Sequence, residues 1–129
     1  MDGDLYRDMT HTEIQQMIWR KVAAFSSFAD VEYRLPNGKV ADIFYRVGDT
    51  RVIVEVKTII KQSLIESAWT KYTSQCDYLV VAGPEQPILD DKLPPLWGWQ
   101  SESVRSVGIW WVSWLGVTEF RPARGLHLD

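Results

Sequence analysis

Two turn signals constrain the first half of this chain more than any other feature. Asn37-Gly38 and Gly48-Asp49 separate three short runs rich in β-branched and aromatic residues: VEYRL (31–35), VADIFYRV (40–47) and RVIVEVKT (51–58). Asn-Gly between two such runs is the strongest short-range hairpin signal, and Gly-Asp is a good one, because these residues accept the positive φ that two-residue hairpin turns require. The spacing predicts an antiparallel three-stranded meander. With Gly48-Asp49 as a two-residue loop, Val47 faces Thr50, Arg46 faces Arg51, Phe44 faces Ile53 and Asp42 faces Glu55. Side chains alternate between faces, so Asp42, Glu55 and Lys57 emerge on one face while Val52, Val54 and Val56 fill the other. The same count at Asn37-Gly38 pairs Pro36 with Lys39 and Tyr33 with Asp42, which puts Tyr33 beside the acids. An odd-length loop at either turn would break this parity and scatter the groups over both faces.

Two carboxylates directly opposite in an antiparallel pair have Cβ atoms about 5 Å apart and repel. Where such a pair is partly buried, a shared proton or a divalent cation offsets the cost, and Lys57, diagonal to Asp42, offsets only part of it. The plainer alternative is a strand end that emerges into solvent, with Lys57 pairing a surface acid. Read as a cation site, the group offers oxygen donors and no thiolate or imidazole nearby in sequence, which suits Mg²⁺ or Mn²⁺. A cation held by two carboxylates keeps several waters, one of which can attack a phosphoryl centre while the metal screens the developing charge. Lys57, one step beyond Glu55, is then placed to hold or activate that water. His11 and His127 stand isolated and are not expected to ligate.

The rest of the chain frames this meander. Thr10 and Glu13 have capping-box spacing, followed by Ile14, Met17, Ile18, Val22 and Phe25 on one face, which predicts a helix over 10–25. A second helix is expected over 62–74, with Ser63 and Glu66 as its capping box and Leu64, Ile65, Ala68, Trp69 and Tyr72 as its apolar stripe. CDYLVVAG (76–83) reads as a buried strand, residues 84–103 as a long proline-rich loop, and 106–113 with 117–122 as a closing hairpin. The order α-β-β-β-α-β, then a loop and β-β, predicts an α/β fold with a mixed sheet covered by helices. At 129 residues, one domain over 1–129 is expected.

Composition narrows the function classes. A net charge of −3 argues against charge-driven, non-specific nucleic-acid binding, though not against a local basic patch. The single cysteine, Cys76, rules out an intrachain disulfide and a cysteine-built zinc site, and suits a reducing cytoplasm. No apolar run approaches the roughly 20 residues of a membrane span, and the acidic N-terminal MDGDLYRD is unlike a signal peptide. Of seven tryptophans, Trp110 and Trp111 point to opposite faces of one strand, one to the core and one to a second covered or partner surface. Trp97 and Trp99 either pack the loop, stack on an unpaired base, wedge into a duplex, or meet a second copy or another protein.

Asp42, twelve residues, and then Glu55-Val56-Lys57 resemble the signature of the PD-(D/E)xK nuclease superfamily, with Ala41-Asp42 in place of Pro-Asp. The predicted element order resembles that superfamily's restriction-endonuclease-like core. WTKYTSQCDYLVVAG (69–83) and VGIWWVSWLGVTEFRPAR (107–124) are similar to the MmcB-like DNA repair branch, with Lys71 and Tyr72 at matching positions. The resemblance implies a Mg²⁺- or Mn²⁺-dependent endonuclease acting on DNA or RNA, of bacterial, archaeal or phage origin. Asp42, Glu55 and the Val56 carbonyl would then be metal ligands and Lys57 catalytic. It also implies that Glu13, otherwise a capping residue, reaches the metal or its water. Lys71, Tyr33, Lys61 and Arg34 are candidate nucleic-acid contacts. The second helix lacks the Gln-x-x-x-Tyr of RecB-like exonucleases. A catalytically silent binding module on the same fold is the alternative. A carboxylate-pair hydrolase would leave Lys57 unexplained.

Overall fold

The computed structural model describes residues 9–84 and 106–126. Helix α1 (His11–Ala23) starts at a complete capping box. The Thr10 hydroxyl accepts from the Glu13 N–H at 3.1 Å, and the Glu13 carboxylate accepts from the Thr10 N–H at 2.9 Å. Ile14, Ile18 and Val22 form its fully buried face, while Phe25 lies beyond the helix and is exposed. Strands β1 (Phe28–Arg34), β2 (Val40–Val47) and β3 (Thr50–Val56) form the antiparallel meander. Helix α2 (Gln62–Tyr72) crosses over to β4 (Tyr78–Pro84), which runs parallel to β3. Strand β5 (Gly108–Ser113) is parallel to β4, and β6 (Gly116–Arg121) returns antiparallel to β5.

The result is one mixed six-stranded sheet in the order β1-β2-β3-β4-β5-β6. One face packs Ile43, Tyr45, Val52, Val54, Val56, Val80 and Trp110 against Ile14, Ile18 and Val22 of α1. The other packs Phe44, Ile53, Leu79, Val81, Ile109 and Trp111 against Ile65, Ala68 and Tyr72 of α2. Trp110 and Trp111 therefore enter two separate cores, and both are buried. Trp97, Trp99 and His127 lie outside the described residues. Among the described residues, no helix is long and apolar enough to cross a membrane. Cys76 is buried, with its thiol against the Tyr72 carbonyl at 3.5 Å, and burial pushes it up to about 12.

Strand β3 is internal to the sheet and covered on both faces, which is why it reads as a nearly continuous apolar run. Its register with β2 is the expected one: Val47 faces Thr50, Arg46 faces Arg51 and Phe44 faces Ile53. The facing arginines are offset separately. Asp77 takes Arg51 at 3.3 Å, and Arg46 lies 5.8 Å from the centre of the Phe44 ring.

The first turn differs from expectation. The Leu35 N–H donates to the Lys39 carbonyl at 2.8 Å, closing a three-residue loop of Pro36, Asn37 and Gly38. Gly38 has φ +88°, the left-handed conformation that glycine adopts at no steric cost, and the Asn37 side chain accepts from the Lys39 N–H. The odd loop shifts the register by one, so Tyr33 pairs with Ala41 rather than Asp42. The place across from Asp42, between the couples Val31–Ile43 and Tyr33–Ala41, falls to Glu32. Glu32 has φ +49°, a left-handed backbone that costs a non-glycine residue roughly 1–2 kcal/mol.

The predicted cap of α2 is also displaced. The N-cap is Lys61, with no side-chain cap bond, because the helix already begins at Gln62 and leaves Ser63 inside its first turn.

Candidate functional site

The site forms where β2 and β3 part. Their paired register runs as far as Ile43–Val54. The Val56 N–H, next in line to bond across to β2, donates instead to the Asp42 carboxylate at 2.8 Å. Asp42 thus bends into the gap between the strand ends and leaves the Val56 carbonyl beyond the last paired position. Glu55 lies beside it on the α2 side, only 5% exposed, and the two carboxyl groups share a hydrogen bond. Lys57 Nζ stands 3.4 Å from Glu55 Oε2. The two acids and the lysine are therefore brought together, as the hairpin count requires.

Electrostatics shows how the acid pair is tolerated. Burial, then the Asp42 charge, then the hydrogen bond with Asp42 push the Glu55 carboxyl from an ordinary 4.5 up to about 7, while Lys57 and Lys71 pull it down. A carboxyl raised that far retains a proton near neutrality, and the pair shares it. Tyr72 completes the arrangement. Fully buried on α2, its hydroxyl lies 2.9 Å from the Val40 carbonyl and 3.1 Å from Glu55 Oε1. Burial and the Glu55 charge hold the phenol well above its ordinary value, so it stays a donor. Tyr72 is thus a core residue and a support for Glu55 at once. Tyr72→Phe should lower stability by about 1–2 kcal/mol, since it removes the hydroxyl that meets Glu55 and the Val40 carbonyl. Urea denaturation measures this, and an unchanged midpoint would show that neither bond matters.

Helix α1 supplies a different set of groups from the one expected. His11 Nε2 lies 3.4 Å from Asp42 Oδ2. The buried Gln15 side chain donates to Glu32 Oε2 at 2.8 Å and to the Asp42 carbonyl at 2.9 Å. Residues 11 and 15 are one turn apart and share a face, whereas Glu13 lies roughly 200° around the helix from either. Glu13 consequently turns to the Thr10 cap, and the residues of α1 that reach the acids are His11 and Gln15. The spacing of His11 and Gln15 shows that they share a helix face, but not that this face meets the acids. The approach of Glu32 depended on the odd turn and carried no signal in the sequence.

The candidate nucleic-acid contacts are dispersed. Lys71 belongs to the neighbourhood, with its ammonium 5.1 Å from the centre of the Tyr72 ring and its charge acting on Glu55. Tyr33 stacks on Phe44 at 4.6 Å, Arg34 donates to the Gly38 carbonyl at 3.4 Å, and Lys61 is exposed at the start of α2. Among the described residues, no group of three or more His, Cys, Asp or Glu is arranged to hold a metal ion. What Asp42 and Glu55 offer is a two-carboxylate site, with the Val56 carbonyl as a further oxygen. That donor set fits Mg²⁺ or Mn²⁺, which bind through one or two carboxylates and otherwise keep water.

No family model matches the chain, and no curated protein does. Among solved structures it is similar to a protein of unknown function from Silicibacter pomeroyi, with a TM-score of 0.64 and 16% identity, over 95% of this chain and 78% of that one. At that identity the likeness is one of fold: a mixed α/β sheet with helices on both faces.

Proposed function

We propose that the chain is a metal-dependent nuclease with a restriction-endonuclease-like core, hydrolysing phosphodiester bonds by internal cleavage, with DNA favoured over RNA. Repair, recombination or phage and mobile-element processing are its proposed settings. The observation that carries this reading is the pairing of partly exposed Asp42 with buried Glu55, with Lys57 Nζ 3.4 Å from Glu55, set where two strands separate. The resemblance to PD-(D/E)xK nucleases, residue for residue at Asp42, Glu55 and Lys57, supports it.

In this reading Asp42, Glu55 and the Val56 carbonyl hold Mg²⁺ or Mn²⁺. When bound, the ion supplies a water of lowered pKa and screens charge on the phosphoryl oxygens. The Val56 N–H and the Tyr72 hydroxyl fix the directions of the two carboxylates, so the ligands are oriented before the ion arrives. Lys57 holds the attacking water and faces the charge that gathers as the water oxygen bonds to phosphorus and the ester oxygen leaves. The test is a cleavage screen over single-stranded, duplex, flap and junction DNA, and RNA, with Mg²⁺ and with Mn²⁺. A wild-type protein inert on all of them would sink the proposal.

One observation favours a second reading, a silent binding module on the same fold. Glu55 already has internal partners in Tyr72, Lys57 and the shared proton, so the pair persists without chemistry. Thermal stability separates the two. Stabilisation by Mn²⁺ that disappears in Asp42→Asn marks a working cation site, and the absence of any stabilisation marks a silent one.

A further inference from the structure

An open groove of about 530 Å³ runs along α2, lined by Lys39, Ser63, Glu66, Ser67, Thr70 and Lys71. Its helical residues recur at one-turn spacing: Ser63, Ser67 and Lys71 in one row, Glu66 and Thr70 in the next. The opposite wall is Lys39, the residue before β2, held in place by the Asn37 side chain at its N–H and by Leu35 at its carbonyl. Two ammonium groups and three hydroxyls face one carboxylate, an excess of cationic and donor groups in a chain of net charge −3.

Tyr72, the neighbour of Lys71 in the chain, connects α2 to the acid pair. The Tyr72 hydroxyl reaches both Glu55 and the Val40 carbonyl, so one side chain links α2, the acids and the strand that begins beside Lys39. Lys71 lines the groove and its charge also acts on Glu55. A chain of phosphates lying in the groove would meet Lys39 and the α2 hydroxyls first and arrive at the acids past Lys71.

We infer that this groove holds the phosphodiester backbone of the substrate strand and leads it to Asp42 and Glu55. The inference rests on the nuclease reading and deepens it, for Lys and Ser/Thr side chains are the groups that position a backbone without reading its sequence. Lys39 and Thr70 are exposed and outside the acid site, so they probe the groove alone.

The test is binding of a short fluorescein-labelled single-stranded DNA in EDTA, followed across salt concentrations, with melting curves to verify folding. Thr70→Glu should weaken binding about tenfold or more. Lys39→Gln should lower the slope of log K against log salt by about 0.7, the share of one phosphate contact on a single strand. On a cleaved substrate, both variants should raise KM and leave kcat as it was. A wild type that binds and cuts DNA, with folded variants matching its affinity, salt slope and KM, overturns the groove and leaves the nuclease standing. A wild type that neither binds nor cuts overturns both.

Discussion

Asp42→Asn and Glu55→Gln should each reduce metal-dependent cleavage by roughly 10³-fold or more while the protein stays folded. The amide variants are preferable to alanine here. Asn at position 42 retains an oxygen that can accept the Val56 N–H, and Gln at position 55 retains one for the Tyr72 hydroxyl. The sheet end is preserved while the negative charge proposed to hold a divalent ion is removed. Lys57→Ala should fall comparably in kcat, with Mn²⁺ binding intact, because the proposed role of the lysine is on water and phosphate rather than on the ion. Initial rates at saturating Mn²⁺, read beside urea denaturation, decide the matter. Amide variants that cut like the wild type would remove these carboxylates from the chemistry.

The second large effect is on stability, and its sign follows from Glu55. Its carboxyl is raised in the folded state from an ordinary 4.5 to about 7, so the native protein binds a proton that the unfolded chain releases. The stabilisation is complete below about pH 4.5 and is lost as pH rises through about 7. Without divalent cations, raising the pH across this window should cost up to about 3 kcal/mol relative to Glu55→Gln, which has no such proton to lose. Saturating Mn²⁺ should restore much of the loss near neutrality, since the ion takes the place of the proton. The measurement is the urea midpoint of both proteins in EDTA and in Mn²⁺. If wild type and Glu55→Gln keep the same difference at every pH, Glu55 carries no shared proton.

The contrast between the two hairpins shows where sequence reading succeeds. Gly48-Asp49 is a two-residue loop, so counting outward from it places Phe44 on Ile53 and brings Asp42 to Glu55. Asn37-Gly38 looks just as regular, but Pro36 joins it in a three-residue loop closed by the Leu35 N–H on the Lys39 carbonyl. Loop length depends on which hydrogen bond closes the turn, and residue types alone do not decide between two and three. That single residue moved Tyr33 away and brought Glu32 in. The helices teach a related lesson. Thr10 and Glu13 were legible as a capping box because all the parts lie within one turn. Placing His11 and Gln15 against the acids required knowing which side of α1 meets the sheet. The apolar stripe Ile14, Ile18 and Val22 indicated the buried side, but not that the helix start would overlie the parting of β2 and β3.

The Val56 amide has a practical use that follows from its unusual partner. A peptide N–H in an ordinary ladder responds only when strands separate, whereas this one is held by the side chain proposed to bind the ion. In a ¹⁵N-labelled sample its resonance should therefore move on titration with diamagnetic Mg²⁺, while amides deep in the same strand, such as Val54, stay still. The chain thus contains its own spectroscopic probe of site occupancy, readable before any substrate has been found.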